Sequence, residues 1–304
     1  MGDDLRERAA VLALVSVTER EWHRTAALIE EAGGAVRLLA PRSPRPDAFD
    51  AAEIDAMVAK VTPDVVNRYV ELIQSLAGQG IRTVTVLDHD YPVNLREVYN
   101  RPPMLFIKGD FRDADQRAVA VVGTRNASRA GVELARLITG QLAKRGITVL
   151  SGLARGIDAA AHEATLEAGG RTVAVMGTGI NQVYPPENRD LAARIHAQGA
   201  LVSQFWPDAP PTRYSFPLRN VVMSGMSIGT VVIEAGSTSG AKMQARFALE
   251  HGKRLFLVES LVMQQDWARR YAKRPGTVVV RSADQIVGVV ETLLRPAQQL
   301  SLAV

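Results

Sequence analysis

The sequence of 304 residues contains no cysteine. This absence excludes a disulfide framework, a thiolate metal site and a cysteine nucleophile, and it is compatible with the reducing cytoplasm, where we expect the protein to act. The chain also lacks an uncharged apolar run near the roughly 20 residues that span a bilayer, so no membrane association is expected. Its first ten residues, MGDDLRERAA, have no apolar segment and are not typical of a signal peptide.

A strong excess of charge of either sign is missing too. The 36 basic and 32 acidic residues leave a formal charge of +4, which is only a mild preference for polyanionic partners. A local cluster of cations would matter more for nucleic-acid binding than this total. The length favours two domains, and the hydrophobic content of 47% is that of an ordinary globular protein.

The chain divides into three stretches by pattern. Residues 1–80 have helical periodicity and predict a small helical module, while residues 291–304 form a short tail. Between them, over residues 81–290, short β-rich runs alternate with amphipathic helical stretches. Several of these runs, such as AVAVV at 118–122, are continuously apolar, as in strands buried on both faces of a sheet. The alternation predicts an α/β fold with a doubly wound, mostly parallel sheet. The predicted strands are 82–87, 104–108, 118–122, 147–150, 172–176, 201–204, 230–233, 254–258 and 277–280.

A phosphate-binding turn is predicted where the strand at 118–122 ends. Gly123, Thr124 and Arg125 follow that strand, and a helix resumes near Ser128. A glycine permits close approach of a ligand to the backbone, and free N–H groups at a helix start favour an anion. Thr124 adds a hydroxyl and Arg125 a forked cation that suits phosphate. The turn is neither a G-x-G-x-x-G sequence nor a Walker motif, so neither a dinucleotide nor ATP hydrolysis is indicated, and no cofactor is expected.

Four further loops follow strands in the same way. In SGLARGID, Gly152 and Arg155 lie at a turn, and in MGTG, Gly177 begins a third glycine loop. The segment SFPLRN and the loop GSTSGAK before a helix complete the set, and three successive strands ending in glycine loops indicate one ligand crevice at the carboxyl edge of the sheet. The residues predicted from the last two segments are Arg219, Asn220, Ser239, Gly240 and Lys242 for phosphate, with Phe216 and Tyr214 as possible base contacts.

Three titratable residues leave more than one interpretation open. An Asp158/His162 pair at helical spacing is compatible with acid–base chemistry, but the favoured interpretation is that Asp158 caps its helix and His162 bonds a neighbouring loop. Glu234 ends a buried strand and is a candidate base, ribose ligand or acceptor that orients a loop. No metal site is predicted, since no third ligand accompanies the pair.

Taken together, these segments resemble the DNA-processing protein A (DprA, or Smf) family, whose core is Rossmann-like. The resemblance rests on VVGTRNASRAG, SGLARGIDAAAH, VAVMGTGINQVYPPEN, FPLRN and EAGSTSG, in this order, over about residues 91–258. It implies a helical N-terminal module similar to a SAM domain. It also implies a non-enzymatic protein that binds single-stranded DNA, protects it and loads the RecA recombinase in natural transformation, as a homodimer formed through the Rossmann-like domain. By position, Gly123, Thr124, Arg125, Arg219, Asn220, Ser239 and Gly240 match the family's DNA-backbone loops. The winged-helix domain frequent in the family is not expected before residue 304.

Two other functions remain alternatives. One is a LOG-like nucleotide phosphoribohydrolase, although Lys242, Met243 and Gln244 stand where that class needs a carboxylate. The other is a sensor that holds one small nucleotide on the same scaffold. In addition, Gln299-Leu300-Ser301-Leu302 is similar to the short peptide that docks on bacterial sliding clamps, which makes the clamp a weak candidate partner.

Overall fold

A computed structural model describes residues 2–18, 21–41 and 43–294. Helices precede the sheet, as predicted, although the short third helix has no counterpart among the predicted segments. The first five helices are α1 (Gly2–Ser16), α2 (Trp22–Glu31), α3 (Ala35–Leu39), α4 (Ala51–Val58) and α5 (Pro63–Gly78). Sequence signals explain two of their starts, because side chains of Asp50 and Thr62 accept hydrogen bonds from the first turns of α4 and α5.

One sheet organises the rest of the described chain. Each predicted strand is present within one or two residues of its expected bounds. The strands are β1 (Ile81–Thr85), β2 (Met104–Gly109), β3 (Ala118–Val122), β4 (Thr148–Ser151), β5 (Thr172–Val175), β6 (Ala200–Ser203), β7 (Gly229–Val232), β8 (Arg254–Val258) and β9 (Thr277–Val280). Their order is β1-β2-β6-β5-β4-β3-β7-β8-β9. Strands β3 to β9 are mutually parallel where they pair, and β1 and β2 form antiparallel pairs at one edge, so the α/β prediction with a mostly parallel sheet is confirmed.

Further helices lie between the strands and after β9. They are α6 (Val93–Arg96), α7 (Arg129–Lys144), α8 (Ile157–Glu167), α9 (Arg189–Gln198), α10 (Ser215–Met226), α11 (Gly240–Glu250), α12 (Glu259–Gln264), α13 (Asp266–Ala272) and α14 (Ala283–Leu294). All five residues of β3 are buried, as the apolar run predicts for a strand covered on both faces. None of the helices in the described ranges is long and apolar enough to cross a membrane.

The N-terminal helices pack directly on the sheet. Their apolar residues share one core with side chains of β1, β2, β5, β6 and α9. Two aromatic contacts strengthen this packing: the Tyr69 ring stacks on Trp206 with centroids 5.4 Å apart, and Trp22 lies 6.4 Å from Phe205. The division into a helical module at 1–80 and an α/β domain at 81–290 stays a prediction.

The strand order indicates where the predicted ligand crevice lies in the sheet. From β3 the chain adds β4, β5 and β6 on one side, and then crosses to β7 on the other side of β3. Val121 of β3 pairs in parallel with Val231 of β7, so the loops that leave these two strands begin side by side at the same edge of the sheet. In open α/β sheets, ligands bind at the carboxyl ends of strands at such a switch point.

Candidate functional site

A cavity of about 340 Å³, which we call the main cavity, opens at the switch point between β3 and β7. It lies between the loops after β3, β4 and β7 and the first half of α10. Most of the residues predicted for the site come together here. The predicted residues that line it are Gly123, Thr124, Arg125, Phe216, Arg219, Asn220, Ser239 and Gly240.

Arg219 is the buried cation of the main cavity. It is only 6% exposed, and among the described residues no carboxylate oxygen lies within 4.0 Å of its guanidinium. Its Nε donates to Oδ1 of Asn220 at 3.1 Å and Nη1 donates to the Val175 carbonyl at 2.9 Å. These bonds hold the group in place but leave part of its donor capacity unused in the described residues. Burial lowers its pKa and the nearby carboxylate of Asp158 raises it, yet an arginine stays charged in proteins. The cavity therefore holds a buried cation that Asp158 offsets from a distance and that no carboxylate in the described residues bonds directly.

Arg125 supplies a second, exposed cation at the rim. Its guanidinium carbon lies 5.0 Å from the centre of the Phe216 ring, in a cation–π arrangement that orients the side chain. Arg125 and Arg219 both line the main cavity, and the charge of Arg125 further lowers the pKa of Arg219. Within the described part of the chain neither guanidinium has a bonded carboxylate, an arrangement that favours a bound anion, and their planar forks match phosphate.

The N-terminus of α11 borders the same space. Ser239 is the N-cap, and its Oγ accepts a hydrogen bond from the N–H of Ala241 at 3.2 Å. The preceding loop is closed by a bond from Ser239 N–H to the Gly236 carbonyl, 3.2 Å long. The positive end of this 11-residue helix therefore adds to the field of the two arginines.

The backbone at the first glycine turn differs from expectation. We expected free N–H groups there, but the N–H of Thr124 donates to the Glu234 carbonyl at 2.6 Å. The N–H of Asn126 donates to Thr124 Oγ1, and that of Ser128 donates to Oε2 of Glu234 at 3.0 Å. The turn is thus stabilised internally. The N–H groups of Thr124, Asn126 and Ser128 are therefore not available to an anion, and the Arg125 guanidinium is the cation that this turn supplies.

The carboxylate of Asp158 accepts hydrogen bonds from backbone N–H groups of two loops near the main cavity. We expected Asp158 to cap α8, but the N-cap of this helix is Gly156. Instead, the buried carboxylate of Asp158 accepts a hydrogen bond from Gly152 N–H at 3.2 Å. Burial raises the pKa of Asp158, while the charge of Arg219 and backbone N–H groups, including that of Gly123, act in the opposite direction. Asp158 therefore joins the loops after β3 and β4 beneath the main cavity.

His162 lies below this layer and is fully buried. Its Nδ1 is 2.7 Å from Oγ1 of Thr172, whose hydroxyl donates to the Val149 carbonyl, so Nδ1 carries the hydrogen and donates. We expected a bond to a loop, but Thr172 is the first residue of β5. Burial and the charge of Arg219 lower the pKa of His162 to about 3. The residue is a neutral structural histidine, and it is fully buried and not among the residues that line the main cavity, which does not support acid–base chemistry.

Five predicted site residues lie outside the main cavity. Gly152 and Gly177 fit against other site residues: a side chain on Gly152 would overlap the Arg219 guanidinium, and one on Gly177 would come 2.7 Å from the Phe216 ring. Arg155 forms an ion pair with Glu187. Lys242 donates to the carbonyl of Ser237, in the loop before α11, at 3.1 Å. The Tyr214 ring is exposed, and the guanidinium of Arg213 lies over it in a cation–π contact.

Of the three candidate roles of Glu234, its contacts support that of an acceptor that orients a loop. Its Oε2 accepts from both the N–H and the Oγ of Ser128, at 3.0 and 2.9 Å. Among the described residues, no group of three metal-ligating side chains that could hold an ion is present. Glu234 orients the loop after β3 and is not among the residues that line the main cavity.

A doubly wound sheet with a cationic cavity at its switch point, and no Walker lysine, defines a Rossmann-like protein with a candidate anion site. Comparison with known proteins narrows this class. Residues 82–290 match the family described as DNA recombination-mediator protein A. The chain belongs to this family.

Individual relatives agree with this membership. The chain is 36% identical over 194 residues to the DNA processing protein DprA of Bacillus subtilis, a match that covers 62% of this chain and 65% of that protein. It is 44% identical over 167 residues to protein Smf of Escherichia coli, covering 55% of this chain and 45% of that protein. The chain thus matches less than two thirds of the length of these relatives.

Solved structures show the same fold. The structure of DprA from Streptococcus pneumoniae superposes with a TM-score of 0.70 at 26% identity, covering 92% of this chain and 97% of that one. The DprA structure from Helicobacter pylori, described as giving insights into a unique single-stranded DNA binding mode, has a TM-score of 0.61 at 24% identity. It covers 70% of this chain and 95% of that chain.

Proposed function

We propose that this chain binds single-stranded DNA without sequence preference through the phosphates of the strand, and acts as a recombination mediator without bond chemistry. The observation that carries the proposal is Arg219, a buried guanidinium without a bonded carboxylate in the described residues, at the floor of a cavity bordered by a helix N-terminus. Such a charge is costly unless an anion completes its surroundings. Family membership supports DNA as the source of that anion.

The proposed site divides into phosphate and base contacts. Arg125 and Arg219 bind phosphate oxygens, with Thr124, Asn220, Ser239 and Gly240 around them. Phe216, and Tyr214 beyond it, receive bases. Gly152 and Gly177 give room to Arg219 and Phe216, Lys242 shapes the loop before α11, and Arg155 contributes at the outer edge.

The partners follow the family resemblance. The strand is passed to the RecA recombinase, and a homodimer extends the binding track. A sliding clamp contacting Gln299–Leu302 is the weakest of these proposals, because that segment lies outside the described residues. Sedimentation tests the dimer, RecA-dependent ATP hydrolysis on single strands tests loading, and deletion of the last ten residues tests the clamp.

Length-dependent binding tests the central proposal. Fluorescence anisotropy is measured with single-stranded oligonucleotides of increasing length, with a duplex and with mononucleotides as competitors. We expect affinity to rise with length until the site is filled and to fall steeply with salt, because bound phosphates release counterions. Saturation by a mononucleotide without gain for longer strands would instead identify a small-nucleotide sensor. Release of free base from nucleoside monophosphates would identify a phosphoribohydrolase.

A further inference from the structure

A second, smaller space adjoins the main cavity. This side cleft has a volume of about 40 Å³ and is lined by Arg125, Gly152, Ala154, Arg155, Tyr184, Pro185 and Phe216. Three residues, Arg125, Ala154 and Phe216, line both spaces and form the wall between them. A ligand bound in the main cavity therefore reaches the side cleft by passing over the Phe216 ring.

The charges of the two spaces differ. In the main cavity, Arg219 has no bonded carboxylate among the described residues. In the side cleft, Arg155 is engaged with Glu187 in an ion pair, and the Arg125 guanidinium lies over the Phe216 ring. In the part of the chain that the structure describes, the cleft thus adds no unpaired cation to the Arg125 that it shares with the main cavity. The rest of its lining is aromatic or small and apolar, which favours a flat, uncharged group.

The outer wall of the side cleft is aromatic. The Tyr184 ring lies 5.9 Å from the Phe216 ring, with an angle of 47° between their planes. The rings therefore do not stack on each other, and they form a wedge. Tyr184 is 41% exposed, so part of its ring is open to a ligand at the mouth of the cleft. The volume of the cleft is too small to enclose a base, so a base would lie at its mouth against the tyrosine.

We propose that Tyr184 is a second base-stacking residue, which holds the base next to the nucleotide whose phosphate lies in the main cavity. This inference rests on the proposed function, and it assigns a role that the sequence patterns did not indicate. The strand then crosses the wall formed by Arg125 and Phe216, with its phosphate on the side of Arg219 and its neighbouring base on the side of Tyr184. Stacking on a π-face tolerates any base, as expected for binding without sequence preference.

Binding of normal and abasic strands tests the role of Tyr184. Tyr184→Ala should weaken binding of an ordinary single strand roughly 5- to 150-fold, the range for loss of one stacked base, whereas Tyr184→Phe should retain affinity. The salt dependence should stay that of the unchanged protein, because no phosphate contact is lost. On a strand in which every base is removed, Tyr184→Ala and the unchanged protein should bind equally.

Controls separate this inference from the proposed function. Tyr99→Ala removes a ring that is 64% exposed and lines neither space, and it should leave binding unchanged. If Tyr184→Ala unfolds, Tyr184→Leu keeps apolar volume without a ring and must show the same loss. Equal binding of ordinary strands by Tyr184→Ala, or an equal loss on the abasic strand, would overturn the stacking role alone. Failure of the unchanged protein to bind any single strand would overturn the proposed function and the stacking role together.

Discussion

The guanidinium of Arg219 occupies the space that a side chain at position 152 would need, so the glycine in the loop after β4 sets the position of the buried cation. This contact joins the loop after β4 to α10, which is remote in sequence. Gly152 N–H also donates to Asp158 at 3.2 Å, which fixes the loop beneath the guanidinium. The small residue is therefore required for packing, and its influence on a ligand is exerted through Arg219.

Gly152→Ala should displace Arg219 from the floor of the main cavity. We expect single-strand affinity to fall by at least about 10-fold and the free energy of unfolding to fall by about 1–3 kcal/mol, the usual cost of overpacking. Gly236→Ala is the matched control, because Gly236 lines the same cavity but an added Cβ there meets nothing within 4 Å. Anisotropy titrations and urea unfolding measure both quantities. Normal binding by Gly152→Ala would show that the position of Arg219 is unimportant.

Arg125→Ala should remove one phosphate contact. Because each neutralised phosphate of a single strand adds about 0.7 to the slope of log affinity against log salt, the slope should decrease by about 0.7 to 1. Arg129→Ala is the control: its side chain is 93% exposed, near the same loop, and paired with Glu133 at 2.9 Å. Titrations between low and moderate salt measure the slopes. Equal decreases in both variants would mean that general charge, and not a contact by Arg125, carries the effect.

Glu234→Ala should loosen the loop that carries Thr124 and Arg125. Loss of the carboxylate removes the acceptor of Ser128 N–H, and because this bond is exposed, water replaces part of it; the free energy of unfolding should fall by about 0.5–1.5 kcal/mol and DNA binding should weaken. Glu234→Gln keeps one carbonyl oxygen and should cost less. Glu133→Ala, at an exposed pair, is the control and should change stability by less than about 0.5 kcal/mol. Chemical unfolding of the four proteins compares them; equal stability of Glu234→Ala would contradict the anchoring role.

The strands were predictable from sequence because their signal is local. A run such as residues 118–122 is apolar at every position, and burial on both faces of a parallel sheet is the structure that such a run favours. The order of the strands was not predictable in the same way. That β1 and β2 pair antiparallel next to β6 depends on long-range packing with the N-terminal helices, which no local pattern records.

The candidate site was predictable to the level of its loops. Glycine and arginine at strand ends indicated Gly123 to Arg125 and the segment around Arg219, and the structure brings them to one cavity. The internal partners were not predictable, because Asp158 and Glu234 act on residues from other loops. For the same reason, the sequence predicted a ligand contact for Gly152, whose neighbour in the structure is Arg219. No sequence pattern indicated a role for Tyr184, because its position beside Phe216 depends on the tertiary fold.

Stability should decrease as the pH falls below about 6.5, because His162 is buried in its neutral form. Its pKa is about 3 in the folded protein against an ordinary value of 6.5, so the unfolded chain binds a proton in this window that the folded protein does not. Linkage then predicts a loss of about 2 kcal/mol by pH 5 from His162. Burial likewise lowers the pKa of His251, to about 4, which acts in the same direction. Asp158, whose pKa is raised, gains stability as its carboxylate is protonated and partly offsets the loss.

His162→Asn should reduce this pH dependence by about half, because Asn retains a donor toward Thr172 but does not titrate, while His251 remains. The variant will be less stable at pH 7.5, so the quantity to compare is the change in unfolding free energy between pH 7.5 and 5.0, measured by urea denaturation at each pH. His23→Gln, at an exposed position on α2, should leave that change as it is in the unaltered protein. An unfolding free energy that stays constant or rises as the pH of the unaltered protein falls from 6.5 to 5 would show that His162 is not held neutral beneath Arg219.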